Sequence, residues 1–252
     1  MRLWQFLSRQ GVGSRQHILQ RYPELSVTRN GQPLSPLALL AAGDEIRWFD
    51  ATARVAVYQP ADTIADATAC PLWLWHKPIG VDCNVRVGHI DSVWARLQQQ
   101  PTLLHPVGRL DKDSHGLMLL SSDGHISHAL MHPSQAIEKT YRVRVRGQVT
   151  AHAVKRLSEG PRYQVGPNLI QPAPCQVQHC QTTLDGAVLE LTLTEGKHRQ
   201  IRYMCRAMGW TVLDLQRTAI GPIVLGTLPA DAIMPLDQAT WHKLQQSLPT
   251  GG

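Results

Sequence analysis

No stretch of this sequence reaches the ~18 uninterrupted apolar residues that a membrane-spanning helix needs, so a helical membrane protein is not expected. The opening Met1-Arg-Leu-Trp-Gln-Phe-Leu-Ser-Arg9 has neither a long apolar run nor a small-residue cleavage site, and is not expected to be a secretory signal. Cysteine is sparse. Its five positions (Cys70, Cys83, Cys175, Cys180, Cys205) are odd in number and scattered, which argues against a disulfide framework and for the reducing cytoplasm. Cys175 and Cys180 flank His179, but without a second Cys or His pair they make a poor metal site, and no metal is expected. A dinucleotide fingerprint and a P-loop are also missing, and there is no internal repeat or low-complexity tract.

What is present is a chain of 252 residues, 43% of them hydrophobic, long enough for a small module and a medium one. Lys and Arg outnumber Asp and Glu by 25 to 19, and the pI is about 9.3, a surplus that permits an anionic partner such as nucleic acid.

Residues 1 to about 50 read as a helical unit with a short strand pair. Leu3, Phe6 and Leu7 have helical spacing, and Ser14 can cap a second helix carrying Ile18. Asn30-Gly31 is a hairpin signal, and Gly43-Asp-Glu-Ile-Arg-Trp-Phe49 reads as a turn into a strand. Residues 51 to 70, rich in Ala, Asp and Thr, look like a linker. Beyond it the pattern is α+β: a strand from Leu72 broken at Lys77-Pro78, a helix from Val93, a buried strand around Met118, and a helix from Gly124 to Met131. Tyr141, Val143 and Val145 alternate with Arg142, Arg144 and Arg146, a strand with one buried face. Leu189, Leu191 and Leu193 repeat the pattern, and Thr150 can cap a helix through Leu157. Ile201, Met204, Cys205 and Met208 form an apolar helical stripe, with Arg199, Arg202 and Arg206 on other faces and Gly209 as a stop.

Three segments carry candidate chemistry. Gly108-Arg-Leu-Asp-Lys-Asp-Ser-His-Gly116 places Arg109, Asp111 and Asp113 between two glycines. Taken alone it could be a polar surface turn. Glu138-Lys-Thr-Tyr-Arg-Val-Arg-Val145 could be an ordinary half-exposed strand. Glu195-Gly-Lys-His-Arg-Gln-Ile-Arg-Tyr-Met-Cys205 could be a solvated basic helix face.

Together and in this order, the segments resemble the RNA pseudouridine synthases, specifically the bacterial RsuA/RluB/RluE/RluF family. Arg109-Leu-Asp111 with Asp113, Gly116 and Leu117 is similar to its catalytic motif, and Lys139-Thr-Tyr141 to its Lys-x-Tyr strand. Glu195-Gly196, Gln200-Ile-Arg202 and Met204 resemble its third motif, Lys77-Pro78 with Gly80 its entry strand, and Arg217 with Ile220-Gly221 the element that follows. Gly11 to Arg15 and Val27 to Gly31 resemble the small RNA-binding domain named after the S-four ribosomal protein, more weakly.

The resemblance implies an RNA-binding domain over 1–55, a linker over 56–70 and a catalytic domain over 71–252. That domain would have a mixed, largely antiparallel sheet, flanking helices and a central cleft. It implies isomerisation of a uridine, flipped from structured RNA, by the carboxylate of Asp111. Tyr141 would stack on the base, and Arg202 would hold Asp111 ionised against burial. Arg109, Lys77, Lys139, Lys197, Arg199, Arg15 and Arg29 are the expected RNA contacts. Ribosomal RNA is the favoured partner and tRNA the second. No cofactor or membrane is implied, and a cytoplasmic monomer is expected. Two rival readings are an RNA-binding ribosome-assembly factor on a dead synthase fold, and a glycosidic hydrolase using Asp111 and Asp113 as a carboxylate pair.

Overall fold

Alternation of apolar and polar residues along the strands dictates where the sheets bury their faces. The computed structural model describes residues 2–10, 12, 15–58, 70–84, 89–97, 99–100 and 104–247. By contact the chain divides into two compact units, Met1–Ala69 with Asn84–Leu103, and Cys70–Cys83 with Leu104–Gly252.

In the first unit, helices α1 (Leu3–Arg9) and α2 (Arg15–Arg21) accompany strands β1 (Thr28–Arg29), β2 (Gln32–Pro33), β3 (Glu45–Asp50) and β4 (Thr52–Val57). The sheet order is β2-β1-β3-β4. Asn30 and Gly31 both have positive φ, 50° and 82°, as the two-residue hairpin requires. Leu3, Phe6, Leu7, Ile18, Ile46 and Trp48 form its core. The expected linker is corrected at its start: residues 52–57 pair antiparallel with β3, and Tyr58 is buried in this core. Ala51, at φ 59°, makes that reversal. Ser14 and residues 59–69 of the linker lie outside the described residues, as does the side chain of Arg15. Helix α3 (Trp94–Leu97) also falls within this unit.

The second unit is built on β5 (Leu72–Lys77), β6 (His105–Val107), β7 (His115–Ser121), β8 (Lys139–Arg146), β11 (Gln176–Thr182), β12 (Gly186–Leu193), β13 (Thr211–Ile220), β14 (Ile223–Val224) and β15 (Ile233–Pro235). Between β8 and β11 a separate pair forms from β9 (Tyr163–Val165) and β10 (Asn168–Ile170). The main sheet runs β11-β12-β8-β13-β7-β5-β15, with β6 on β7 and β14 on β13. The pairing of β13 with β7 is parallel, and its other pairings are antiparallel. Helices α4 (Gly124–Met131), α5 (Ala151–Ser158), α6 (Gln200–Ala207) and α7 (Gln238–Ser247) complete the unit.

Local chemistry sets the boundaries. The Thr150 hydroxyl accepts from Ala153 N, capping α5. Gly209, at φ 77°, ends α6 after the buried Ile201, Met204 and Cys205. Leu72, Leu74, Leu117, Leu119, Leu130 and Ile220 belong to one buried cluster. Burying side chains of this size contributes about 1.5–3 kcal/mol each. Among the described residues, no helix is long and apolar enough to cross a membrane.

Candidate active site

The loop from Gly108 to Ser114, between β6 and β7, is pinned from one side by the segment that follows β5. The Cys83 thiol donates to Leu110 O at 3.0 Å and accepts from Leu110 N at 3.3 Å. Gly80 N donates to Lys112 O at 2.8 Å, and Ser114 N closes a turn on Asp111 O at 3.0 Å. Lys77 is fully buried, and its Nζ donates to Ser114 O at 2.6 Å and Pro78 O at 3.0 Å. The expected RNA contact at Lys77 is therefore corrected. The side chain has no surface to offer, because strand alternation turns it inward. Burial pushes its ammonium below the ordinary lysine value, opposed in part by the nearby Cys83 and the carboxylates of Asp111 and Asp113.

Where the loop enters β7, the chain passes against β13. A Cβ on Gly116, at φ 109°, would lie 2.6 Å from Arg217 N and closer still to Arg217 O. Glycine is required there both by backbone conformation and by space. Arg217 itself is buried. Its guanidinium donates to Leu117 O at 2.7 Å and, weakly, to Arg109 O at 3.5 Å.

The third segment approaches the loop through its first turn. Gln200 fastens it, accepting from Lys197 N at 3.0 Å and donating to Glu195 at 2.6 Å. Lys197 also pairs with Glu195. Arg199 precedes α6 in the left-handed conformation, at φ 53°. Its guanidinium forks onto Asp113 at 3.0 and 2.8 Å, and Nη1 lies 4.0 Å from the Asp111 carboxylate. Arg202 Nη2 donates to Asp113 O at 2.8 Å and Ser114 Oγ at 3.3 Å, with Nε 3.4 Å from the Asp113 carboxylate. The expected pairing of Arg202 with Asp111 is corrected: its carboxylate is that of Asp113. Arg202 lies most of a turn beyond Arg199 and meets the loop at Asp113 and Ser114 rather than at Asp111. Hydrogen bonding from Arg199, with Arg202 beside it, holds the Asp113 carboxyl below its ordinary value.

A cavity of about 780 Å³ opens beside this loop, wholly within the second unit. That is within the range of pockets for single small ligands. Asp111 and Arg109 line it from the loop, Lys139 and Tyr141 from β8, Lys197 and Arg199 from the third segment, and Arg217 from β13. Leu119, Leu130, Leu193 and Leu215 supply apolar wall. Asp113 and Arg202 are not among the lining residues. The Asp111 side chain is 23% exposed, and Tyr141 is 8% exposed. Lys139 donates to Ile137 O at 2.9 Å, and burial, then Arg217 nearby, holds its ammonium below the usual value.

The structure thus brings Asp111, Tyr141, Arg109, Lys139, Lys197 and Arg199 to one cavity. Arg15 and Arg29 belong to the other unit, where Arg29 is engaged by Leu39 O at 3.2 Å and by Asp44 at 3.5 Å. Sequence reasoning gave no role to Arg217, Gln200 or Cys83. Arg217 and Gln200 stood in recognisable motifs, but nothing around Cys83 pointed to its clasp on Leu110.

Residues 71–207, more than half of the chain, match the family model described as RNA pseudouridylate synthase. The chain is 29% identical over 223 residues to the ribosomal large subunit pseudouridine synthase B of Bacillus subtilis, covering 86% of this chain and 84% of the relative. It is 31% identical over 250 residues to the protein of the same name from Yersinia pestis, covering 97% and 75%. A solved crystal structure of a pseudouridylate synthase superposes with a TM-score of 0.61 at 26% identity, over 97% of this chain and 99% of the other. The pinned aspartate loop, the tyrosine strand and the basic helix start converge on one cavity within the matched region and its continuation, and the chain belongs to the RNA pseudouridylate synthase family, enzymes that isomerise uridine in RNA.

Proposed function

We propose that the cavity receives one uridine flipped out of ribosomal RNA and that Asp111 acts on it. One observation carries this reading: of the two carboxylates in the loop, Asp111 lines the cavity, whereas Asp113 is taken up by two guanidiniums. That division also counts against a hydrolase using the two as a pair, which needs both carboxylates at the substrate.

In the reaction the uracil N1–C1′ bond breaks, the base turns while held, a C5–C1′ bond forms, the C5 hydrogen leaves as a proton, and N1 takes up a proton from solvent. Product and substrate are isomers, so apart from this proton exchange nothing is imported. Asp111 either attacks C1′ or removes a ribose proton, and both routes require the ionised carboxylate. The Arg199 guanidinium faces that carboxylate at 4.0 Å. The ring of Tyr141 stacks on the flipped base, an interaction worth about 1–3 kcal/mol, and its hydroxyl serves the proton transfer at C5. Arg109, Lys139 and Lys197 hold the phosphates beside the flipped nucleotide and offset part of the unstacking cost. The N-terminal unit, through Arg15 and Arg29, contributes to the choice of RNA.

Large-subunit ribosomal RNA is favoured over tRNA because relatives aligned along most of the chain are named for it. The enzyme works as a cytoplasmic monomer. The test is tritium release from large-subunit ribosomal RNA labelled as [5-³H]uridine. The wild type should release tritium without freeing uracil. Asp111→Asn should lose at least about 10³-fold in rate, as removal of a reacting group does, while keeping its RNA affinity. Release near the wild-type rate from that variant would refute the role of Asp111.

A further inference from the structure

Strand β8 presents two different surfaces. Tyr141, Val143 and Val145 are buried on the face that carries the cavity wall, whereas Arg142, Arg144 and Arg146 are exposed. Because successive side chains of a strand point to opposite faces, the three arginines stand on the reverse face of the sheet, about 6.7 Å apart.

The register identifies what lies beside them. Arg142 is opposite Glu190 on β12 and Gln216 on β13, Arg144 is opposite Val188 and Asp214, and Arg146 is opposite Gly186 and Thr211. Asp214 is already engaged by His115 at 3.1 Å. Among the described residues, none of the three guanidiniums makes a hydrogen bond or ion pair. Three guanidiniums, which stay charged at any ordinary pH, therefore face one uncommitted carboxylate, Glu190. Like charges repeated along one strand face repel, and among the described residues no ion pair of these arginines offsets that repulsion.

We propose that this arginine row binds the phosphodiester backbone of the RNA substrate, at a part of the RNA distinct from the nucleotide that enters the cavity. Guanidinium forks match phosphate oxygens, and a regular row tracks a polyanion rather than a single small anion. Strand β8 is third from the β11 edge, about 10 Å in from it, so a folded RNA that fills the cavity on one face reaches the row by passing round that edge. The inference rests on the reading that this chain acts on RNA, and it adds a demand: the substrate must be larger than one hairpin.

The test compares the full chain with a variant carrying Arg142→Gln, Arg144→Gln and Arg146→Gln, after melting curves show that both fold. Affinity is measured against salt for two probes, large-subunit ribosomal RNA and a uridine hairpin of about 20 nucleotides. On the long RNA the variant should bind at least tenfold more weakly, and the slope of log affinity against log salt should fall by about two to three, near 0.7–0.9 per lost phosphate contact. The hairpin affinity should change by less than about twofold. Glu190→Gln should act in the opposite sense and tighten the long RNA. An unchanged slope on the long RNA would mean a merely solvated face. Equal losses on both probes would place the row in the footprint around the cavity; either result overturns the proposal. Failure of wild-type tritium release would instead refute the activity on which it rests.

Discussion

Arg199 Nη1 stands 4.0 Å from Asp111 Oδ2 while the same guanidinium makes a two-pronged contact with Asp113. The guanidinium is thus oriented by a carboxylate outside the cavity and presented to the one inside it. Arg202 braces Asp113 O and Ser114 Oγ from the far end of the loop. The two arginines make different contacts, and on the proposed reading they do different work: Arg199 faces the Asp111 carboxylate in the cavity, and Arg202 holds the shape of the loop.

Arg199→Met should therefore lower kcat by about 10²-fold, the cost typical of losing one preorganised electrostatic contact. Arg202→Met should cost less, with Arg202→Lys restoring part of it through the carbonyl contact. Single-turnover kinetics at saturating RNA would check the order, and a larger loss at Arg202 would reverse the assignment.

Tyr141→Phe keeps the ring and removes the hydroxyl. RNA affinity should stay within about twofold, while product formation falls by roughly 10²–10⁴-fold, the range for a proton-transfer group. Equal rates for the two proteins would leave only the stacking role.

Gly116→Ala should destabilise the second unit by about 3 kcal/mol or more, because the new Cβ meets backbone atoms of Arg217 and the residue sits at φ 109°. Urea unfolding followed by tryptophan fluorescence would measure it. A cost below about 1 kcal/mol would show that β7 and β13 can part without penalty.

Asp113 gives a pH signature. Its folded-state pKa is depressed, first by hydrogen bonding from Arg199 and also by the charge of Arg202, so the stability it contributes is present above the ordinary carboxylate value. That contribution is lost as pH falls through the lower folded-state value. Asp113→Asn should lower Tm at pH 7, with the difference from the wild type shrinking below about pH 4. A difference that stays constant down to pH 2 would exclude the ion pair as its origin.

Much of this architecture is written in local pattern. The alternation of Tyr141, Val143 and Val145 with three arginines fixes which face of β8 is buried. The stripe of Ile201, Met204 and Cys205 sets the packed side of α6, and Asn30-Gly31 sets a hairpin. These are short-range periodicities and turn preferences, which the chain carries without reference to distant parts. The 51–57 stretch misled because a strand of exposed, small and polar residues lacks such a pattern, and β4 forms because β3 offers it backbone hydrogen bonds.

The site divides in the same way. The resemblance of three motifs, taken in order, to a known family singled out Asp111, Tyr141 and the basic helix start. It could not decide which arginine faces which aspartate, because Arg199 and Arg202 lie three residues apart and only the seating of α6 against the loop assigns them. Nor could it show that Lys77 is sealed beneath the loop or that Cys83 clasps Leu110. Those outcomes depend on contacts between segments far apart in the chain, and tertiary packing alone brings them within hydrogen-bonding distance.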